Sequence, residues 1–498
     1  MFVAPDPGRA RLRAGLRAVA GIGLACAADL LGGLPLTAVV AGGLAALLAL
    51  FTVADPGVGR QAVTTALLPV VGYPVLALAA VLDPYPPARD AAFLAVVFAG
   101  VYARRWGPRG HALGVFAFMM FFTAQFVKAQ AGQLPELFAA LSLGLACAAV
   151  VRFGFWCYER RSPLSPAVAH DEPGGLRRPT TRQAFQALAA AAFALGVGEL
   201  VSGARWYWAV AAAWWIFVNT ASRGETLVRG FRRFLGTVLG MVAGLAVALP
   251  VGGAPVPTVV LLAACVFGVF YAAPVSYSWM MFCVTLLAGL LYGLMGVLTP
   301  ALLVLRVEET LTGALGAALA VALVLPVTTH AATDAWIRHA LHAVRDATAA
   351  VGARTPLEPH IARLDLLLGR VRLAVAPLVH PLSPLRARKE RARQVLELLD
   401  DCAGQVRGLA AVVAEHTGPA HGAHPGHHER LRAACARVEE AIAHLVTPHA
   451  HGEVARHGVD PAHEPLGDPA LGHLHALERS LTALHAPLRA DERAPVAA

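Results

Sequence analysis

The sequence has little charge for its length. Of its 498 residues only 15% are charged and 57% are hydrophobic, whereas soluble globular chains carry about 25% charged residues. The mean hydropathy is +0.58. Apolar stretches of the roughly 20 residues that a membrane helix needs follow one another through the first two thirds of the chain. This composition excludes a soluble enzyme and predicts an all-α, polytopic membrane protein.

Paired cysteines and catalytic signatures are also missing. None of the 7 cysteines stands in a Cys-x-x-Cys spacing, and Cys26, Cys147, Cys265 and Cys283 lie within apolar stretches. This favours reduced packing residues over disulfides or a zinc site. The sequence has no Walker motif, no nucleophile elbow and no His-Glu-x-x-His. We therefore expect no enzyme activity, no cofactor and no ATP-driven pump.

Twelve apolar stretches between Pro, Gly and Arg punctuation predict twelve membrane spans in two sets of six. The first set is Leu12–Leu31, Leu36–Val53, Ala62–Leu82, Ala91–Tyr102, Ala112–Val127 and Leu137–Trp156. The second set is Ala184–Val201, Trp206–Val218, Phe234–Val251, Val259–Ala273, Val275–Tyr292 and Leu311–Val327. Arginines precede the first stretch without a small-x-small cleavage site after it, so we expect an uncleaved first span.

Two changes of composition divide the chain. We predict a first six-span repeat over residues 1–160, a cytoplasmic linker over 161–182, a second six-span repeat over 183–329 and a cytoplasmic His-rich helical domain over 330–498. In the last domain, apolar residues at helical spacing predict a long amphipathic helix from about Leu385 to His416.

The positions of the basic residues predict the orientation. Arginines gather before the first span and in alternate connections, and the positive-inside bias then puts both termini in the cytoplasm. Basic clusters beside apolar helices also account for the net charge of +9. We therefore expect a multi-pass protein of the cytoplasmic membrane, with membrane lipid and no nucleic acid as a partner.

Three short matches relate the two sets of spans at a nearly constant offset. They pair residues 29–33 with 199–203, 118–121 with 279–282, and Glu136 with Glu309. An even number of spans gives both repeats the same topology, so we expect a pseudo-twofold axis along the membrane normal and a substrate path between the halves.

Three motifs in the second half resemble those of the fusaric-acid-resistance (FUSC-like) family, within the aromatic acid exporter group. They are Trp-x-Trp at 206–208, Arg-x-x-Gly-Thr-x-x-Gly at 233–240 and Arg-x-x-Glu-Thr-x-x-Gly at 306–313. The resemblance covers residues 184–328 and is weaker over 12–157. It implies an inner-membrane exporter of small, often aromatic, organic acids that uses the proton gradient.

Arginine and aromatic residues are candidates for substrate binding. Arg232 and Arg233 stand at the predicted cytoplasmic start of a span, where guanidinium groups suit an arriving carboxylate. Aromatic surface is offered by Trp206, Trp208, Trp279 and Phe118. The alternatives are that the arginines are positive-inside anchors and that the aromatic residues form core packing or an interfacial belt.

Acidic residues at the ends of predicted spans are candidates for proton coupling or gating. Asp29, Glu136, Glu199 and Glu309, together with Arg306, fall toward the outer side in this topology. Ionisable groups in membrane spans are costly and tend to pair, face a cavity or relay protons. Acids at exposed helix ends, favoured there by the macrodipole, are the alternative.

Most of the 20 histidines lie in the tail, where His421, His424, His427 and His428 form a weak metal-ligand candidate. Their Gly- and Pro-rich spacing equally fits a His-rich linker. We expect a secondary transporter that exports small organic anions and leave open a homo-oligomer or a cytoplasmic partner bound through the tail. The alternatives are an anion channel of the malate-channel type and a membrane scaffold that acts through its tail.

Overall fold

The computed structural model describes Asp6 and residues 9–159, 175–218, 220, 222–251, 254–326, 329–353, 355–379, 386–416, 425–446 and 468–489. All regular elements in these residues are helices, which confirms the predicted all-α class. The chain divides into two compact units, one of residues 1–164 and 170–327 and the other of residues 165–169 and 328–498.

The first unit begins with six long helices. They are α1 (Ala10–Leu31), α2 (Leu36–Thr52), α3 (Val58–Leu82), α4 (Pro86–Tyr102), α5 (Gly107–Val127) and α6 (Leu134–Glu159). The prolines at the start of α4 and near the start of α5 fit positions where the helix has no use for the missing backbone N–H.

Six further helices complete the first unit. They are α7 (Pro179–Val201), α8 (Tyr207–Phe217), α9 (Arg223–Ala243), α10 (Pro255–Ala272), α11 (Tyr277–Leu294) and α12 (Pro300–Leu323). A π-helical turn, Gly244–Ala248, and a single turn, Leu249–Val251, follow α9. Each of the twelve predicted spans therefore coincides with a helix.

Two of these helices begin eleven residues earlier than predicted. α9 begins at Arg223 rather than at Phe234, and α12 begins at Pro300 rather than at Leu311. The predicted starts are wrong because charged residues in the first halves of both helices resemble a connecting loop in a hydropathy profile. Arg232 and Arg233 therefore lie within α9, and Glu309 lies in the third turn of α12.

In the described part of the chain, eight stretches are long and apolar enough to cross a membrane, so the chain is a multi-pass membrane protein. α4 and α5 count as one of them, Pro86–Val127, because a 3-10 turn joins them. α2 and α8 are apolar but shorter, and α12 carries Arg306, Glu308 and Glu309. The prediction of twelve crossings stays a prediction.

Six helix pairings recur in both sets. α1 packs against α2 and α6, α2 against α6, α3 against α5 and α6, and α4 against α5. α7 packs against α8 and α12, α8 against α12, α9 against α11 and α12, and α10 against α11. Between the sets, α4 packs against α7 and α1 packs against α10.

Small residues allow the closest of these crossings. Any side chain at Gly144 of α6 would overlap the backbone of Gly42 in α2, and one at Gly313 of α12 would overlap the backbone of α8. On α9, Gly236 and Gly240 face the backbone of α11 in the same way. The glycines of the Gly-Thr-x-x-Gly motif are therefore packing residues, as is common for helices that associate in membranes.

The second unit contains five amphipathic helices in its described part. They are α13 (Thr329–Ala353), α14 (Glu358–Val379), α15 (Arg386–His416), α16 (Pro425–Val446) and α17 (Pro469–Arg489). α15 confirms the helix predicted from Leu385 to His416, and it buries Val395, Leu399, Cys402, Val406 and Leu409. Solvent-exposed ion pairs join neighbouring helices, among them Arg372 with Asp400 at 2.7 Å and Arg407 with Asp365 at 2.6 Å.

Candidate functional site

A cavity of about 130 Å³ lies within the first unit, between α2 and α5 of the first set and α8 to α12 of the second. Its walls are almost entirely apolar. Characteristic lining residues are Leu47, Phe51, Phe122, Phe126, Met281 and Leu287. The two charged side chains in the lining are those of Arg233 and Arg306.

Arg233 reaches the cavity from the middle of α9. It lies about 15 Å along the helix from Arg223, given a rise of about 1.5 Å per residue. Its side chain is 4% exposed. Nη1 lies 3.3 Å from the Tyr277 hydroxyl and 3.3 Å from the Met281 sulfur, and Nε has no hydrogen-bond partner among the described residues.

Arg306 reaches the same cavity from α12. Its guanidinium carbon lies 3.3 Å from the centroid of the Trp208 ring, a cation–π contact. Trp208 in turn donates its indole N–H to the Tyr292 hydroxyl at 2.7 Å. Arg306 is 5% exposed, and its Nε also has no partner among the described residues.

Neither cavity arginine is held in an ion pair among the described residues, although Glu309 lies one turn beyond Arg306 on the same helix. None of the ion pairs between described residues includes Arg233 or Arg306. A buried charge without a partner is expensive. The cavity therefore combines apolar walls with two guanidinium groups that retain hydrogen-bonding capacity.

Glu309 lies one turn beyond Arg306 on α12. It is 1% exposed, and its Oε1 atom has no hydrogen-bond partner among the described residues. The charged groups that act on it are Arg306, Arg205 and Glu308. Because Glu309 is in the third turn of α12, a helix N-terminus does not account for it.

The other predicted acids lie in different surroundings. Asp29 is fully buried near the end of α1, where neither carboxylate oxygen has a partner among the described residues. It lies against Gly42 of α2. Glu199 is exposed and 3.5 Å from Arg89, and Glu136 is exposed in the first turn of α6. The structure therefore does not bring the four acids together.

Of the predicted substrate residues, Arg233 and Trp208 line the cavity and the others do not. Phe118 is fully buried and stacks on Trp214 with ring centroids 4.0 Å apart. Trp206 is buried beneath the guanidinium group of Arg89, 4.5 Å from it. Trp279 is 45% exposed, and Arg232 is exposed on α9.

The sequence did not lead us to predict that α2 lines the cavity or that Arg306 lies within α12 and in the cavity wall. Leu47 and Phe51 lie in a uniformly apolar helix that carries no distinguishing signal. Arg306 stands in the Arg-x-x-Glu-Thr-x-x-Gly motif, but the predicted span began after it. The Thr299-Pro300 pair, an N-cap followed by a first-turn proline, is the signal that could have shown that α12 begins earlier.

No group of three or more potential metal ligands occurs among the described residues. His421 and His424 lie outside the described residues. His427 and His428 fall in the first turn of α16, but their side chains are also outside the description. The metal-site prediction stays untested.

Comparison with known proteins identifies one segment of the chain. Residues 189–320, which run from α7 into α12 and include Trp208, Arg233 and Arg306, match the family model described as fusaric acid resistance protein-like. No curated protein matches the chain. The match and the apolar helices together indicate a membrane transport or resistance protein. The chain therefore carries a fusaric acid resistance protein-like segment at residues 189–320 and belongs with the multi-pass helical membrane proteins.

Proposed function

We propose that this protein is a secondary transporter that exports small organic acids, aromatic carboxylic acids in particular, across the cytoplasmic membrane. The observation that carries the proposal is the pair of buried arginines, Arg233 and Arg306, in the wall of one apolar cavity. Two guanidinium groups can donate several N–H hydrogen bonds to the oxygens of one carboxylate.

Electrostatics supports an anionic ligand. A single arginine at the centre of a membrane helix costs about 3 kcal/mol on insertion scales, and here two are buried without an ion-pair partner among the described residues. A bound carboxylate would supply the missing negative charge and accept from the unpaired Nε atoms. Arginines that served only as anchors at a membrane surface would not be expected to line one buried cavity together.

The size and walls of the cavity support one aromatic ring. An apolar cavity of about 150 Å³ in another protein holds a benzene molecule, and this cavity measures about 130 Å³. The edges and faces of Phe122 and Phe126 meet the Trp208 ring at centroid distances of 4.8 and 5.8 Å. A ligand ring can extend this cluster with offset or edge-to-face contacts.

Glu309 is the group we assign to proton coupling. It is buried beside the cavity arginine Arg306 and has an oxygen without a partner among the described residues. A deprotonated Glu309 competes with a substrate carboxylate for the positive charge of Arg306, and a protonated Glu309 does not. Proton binding and anion binding are therefore linked through one arginine.

The repeated helix pairing supports two six-span repeats with the substrate path between them. The pairs α1–α6 and α7–α12 correspond, as do the inter-set pairs α4–α7 and α10–α1. In this architecture both termini and the second unit are cytoplasmic. A homo-oligomer or a partner bound through the second unit is compatible with it.

Flux measurements in proteoliposomes test the function. Purified full-length protein is given a panel of benzoate-type and aliphatic carboxylates with and without a pH gradient. R233Q and R306Q are measured beside R223Q, which removes an exposed arginine from the same helix as Arg233. We expect gradient-dependent flux of the aromatic acids, reduced at least tenfold in R233Q and R306Q and unchanged in R223Q.

Two outcomes contradict the proposal. If the wild-type protein transports none of the acids in the panel, organic-acid transport is excluded. If the flux is equal in R233Q, R306Q and R223Q, the cavity arginines take no part in transport. An ohmic current that follows voltage and does not depend on the pH gradient would show that the protein is an anion channel with the same pathway rather than a carrier.

A further inference from the structure

Two further arginines are each linked to a cavity arginine through aromatic side chains. Arg229 precedes Arg233 by one turn on α9, about 6 Å along the helix axis. Its guanidinium carbon lies 3.9 Å from the centroid of the Tyr277 ring. The hydroxyl of the same tyrosine lies 3.3 Å from Nη1 of Arg233, so Tyr277 joins the two cations.

Arg306 has a related arrangement. It lies over the ring of Trp208, whose indole N–H donates to the Tyr292 hydroxyl. Arg205, in the connection before α8, lies 4.8 Å from the centroid of the Tyr292 ring. Trp208 and Tyr292 therefore link Arg205 to Arg306, as Tyr277 links Arg229 to Arg233.

The outer arginines are placed to receive an anion. Arg229 and Arg205 are half-buried, whereas Arg233 and Arg306 are buried. Neither outer arginine forms an ion pair with a carboxylate among the described residues. Arg229 is held by its ring contact and by the hydrogen bond from Nε to the Trp215 carbonyl at 3.3 Å, and neither contact neutralises its charge.

A staged path lowers the cost of moving a charge into the cavity. An anion that leaves water gives up its hydration, and successive cations replace it in steps; Arg229 and Arg233 are about one helical turn apart. Conduction pathways need sites that bind an ion strongly enough to admit it and weakly enough to release it. The cation–π contacts hold the guanidinium groups in place without neutralising their charge.

We propose that Arg229 and Arg205 are outer anion-binding stations, one at each end of the cavity, which pass a carboxylate to and from Arg233 and Arg306. This inference rests on the proposed function. The stations act on entry and exit, and the cavity arginines set the equilibrium affinity. The two pairs of arginines therefore have different kinetic signatures.

The test uses benzoate as the probe and the full-length protein throughout. Equilibrium binding of radiolabelled benzoate is measured in detergent, and initial rates of uptake and efflux are measured in proteoliposomes of uniform orientation. The variants are R229Q, R205Q, the charge-retaining R229K and R205K, the cavity variant R233Q, and R223Q as the exposed control on α9.

We expect R229Q and R205Q to raise the KM for benzoate at least fivefold, each for entry from a different side of the membrane. Their equilibrium Kd stays within twofold of the wild type, R229K and R205K recover most of the loss, and R223Q matches the wild type. R233Q loses equilibrium binding itself.

Other results overturn the inference. If the KM values of R229Q and R205Q are unchanged, Arg229 and Arg205 are not anion-binding stations. The proposed site in the cavity is unaffected by that result. A Kd raised as strongly as in R233Q makes these arginines part of the cavity site or of its folding. If wild-type protein neither binds nor moves benzoate and R233Q behaves identically, the proposed function fails and the outer stations fail with it.

Discussion

At the scale of single residues, neighbouring side chains of the same type differ in burial although their hydropathy is the same. Arg232 and Arg233 are neighbours in sequence, yet the first is exposed and the second is 4% exposed in the cavity wall. Glu308 and Glu309 differ in the same way. On a helix, adjacent residues point about 100° apart, so one residue of each pair is buried among the helices while its neighbour is exposed. These neighbours offer matched variants for the two roles that we propose.

Glu309→Gln should uncouple flux from the proton gradient. Glutamine keeps the shape and an acceptor but cannot exchange a proton or oppose a substrate anion at Arg306. We expect benzoate flux that persists at about the wild-type rate without a gradient and no longer rises when a gradient of one pH unit is imposed. Glu308→Gln, at the exposed neighbour, should retain the response. A full pH response in E309Q would assign coupling to another group.

The thiol of Cys402 in the second unit should be inert in the folded protein. Burial raises its pKa to about 12, so only about one thiol in ten thousand is ionised at pH 8, and the thiolate is the reactive form. We expect no maleimide labelling of Cys402 at pH 8 in an hour and complete labelling in denaturant. Peptide mass spectrometry reads the result, and rapid labelling of the native protein would contradict the burial of α15.

At the scale of helices, the sequence predicts which helices exist better than it predicts where they begin and end. The amphipathic period of α15 predicts its span to within one residue. The starts of α9 and α12 were missed because the first halves of these helices carry charged residues, Arg233, Arg306 and Glu309 among them. Charges in a membrane helix are costly and lower its hydropathy. Candidate site residues therefore lie in or next to the turns that a hydropathy profile assigns to loops.

Capping signals would have corrected both boundaries. Ser222 accepts a hydrogen bond from the backbone N–H of Glu225, and Thr299 accepts one from that of Leu302. Ser-x-x-Glu and Thr-Pro are both N-terminal helix signatures. The convergence of Arg233 and Arg306 on one cavity could not be predicted, because it depends on the packing of α9 and α12 in three dimensions.

Gly236→Ala should loosen the crossing of α9 and α11. A methyl group at Gly236 would meet the carbonyl oxygen of Ser278, a backbone atom that cannot rotate away, and overpacking of this kind costs about 1–3 kcal/mol. Gly196→Ala is the control, because a methyl group there meets nothing within 4 Å. We expect the Tm to fall by about 5 °C in G236A and to stay level or rise in G196A. Equal Tm values would show that the crossing is wider than described.

At the scale of the whole molecule, the composition of the chain and its cavity are connected. Low charge and long apolar helices make the chain a membrane protein, and the segment 189–320 relates it to the fusaric acid resistance protein-like family. The cavity has two buried arginines in its wall and lies between two sets of helices that share six pairings. An anion path between two repeats follows as the proposal that uses all of these observations.

A structure of the full-length protein with 4-iodobenzoate bound, located by the density of the iodine atom, would test whether the cavity holds an aromatic carboxylate. We predict iodine between Phe122 and Phe126 in the cavity and the carboxylate within hydrogen-bond distance of Arg233 and Arg306. Iodine on the outer surface of the helices, or a cavity filled by a lipid chain at saturating ligand, would contradict it.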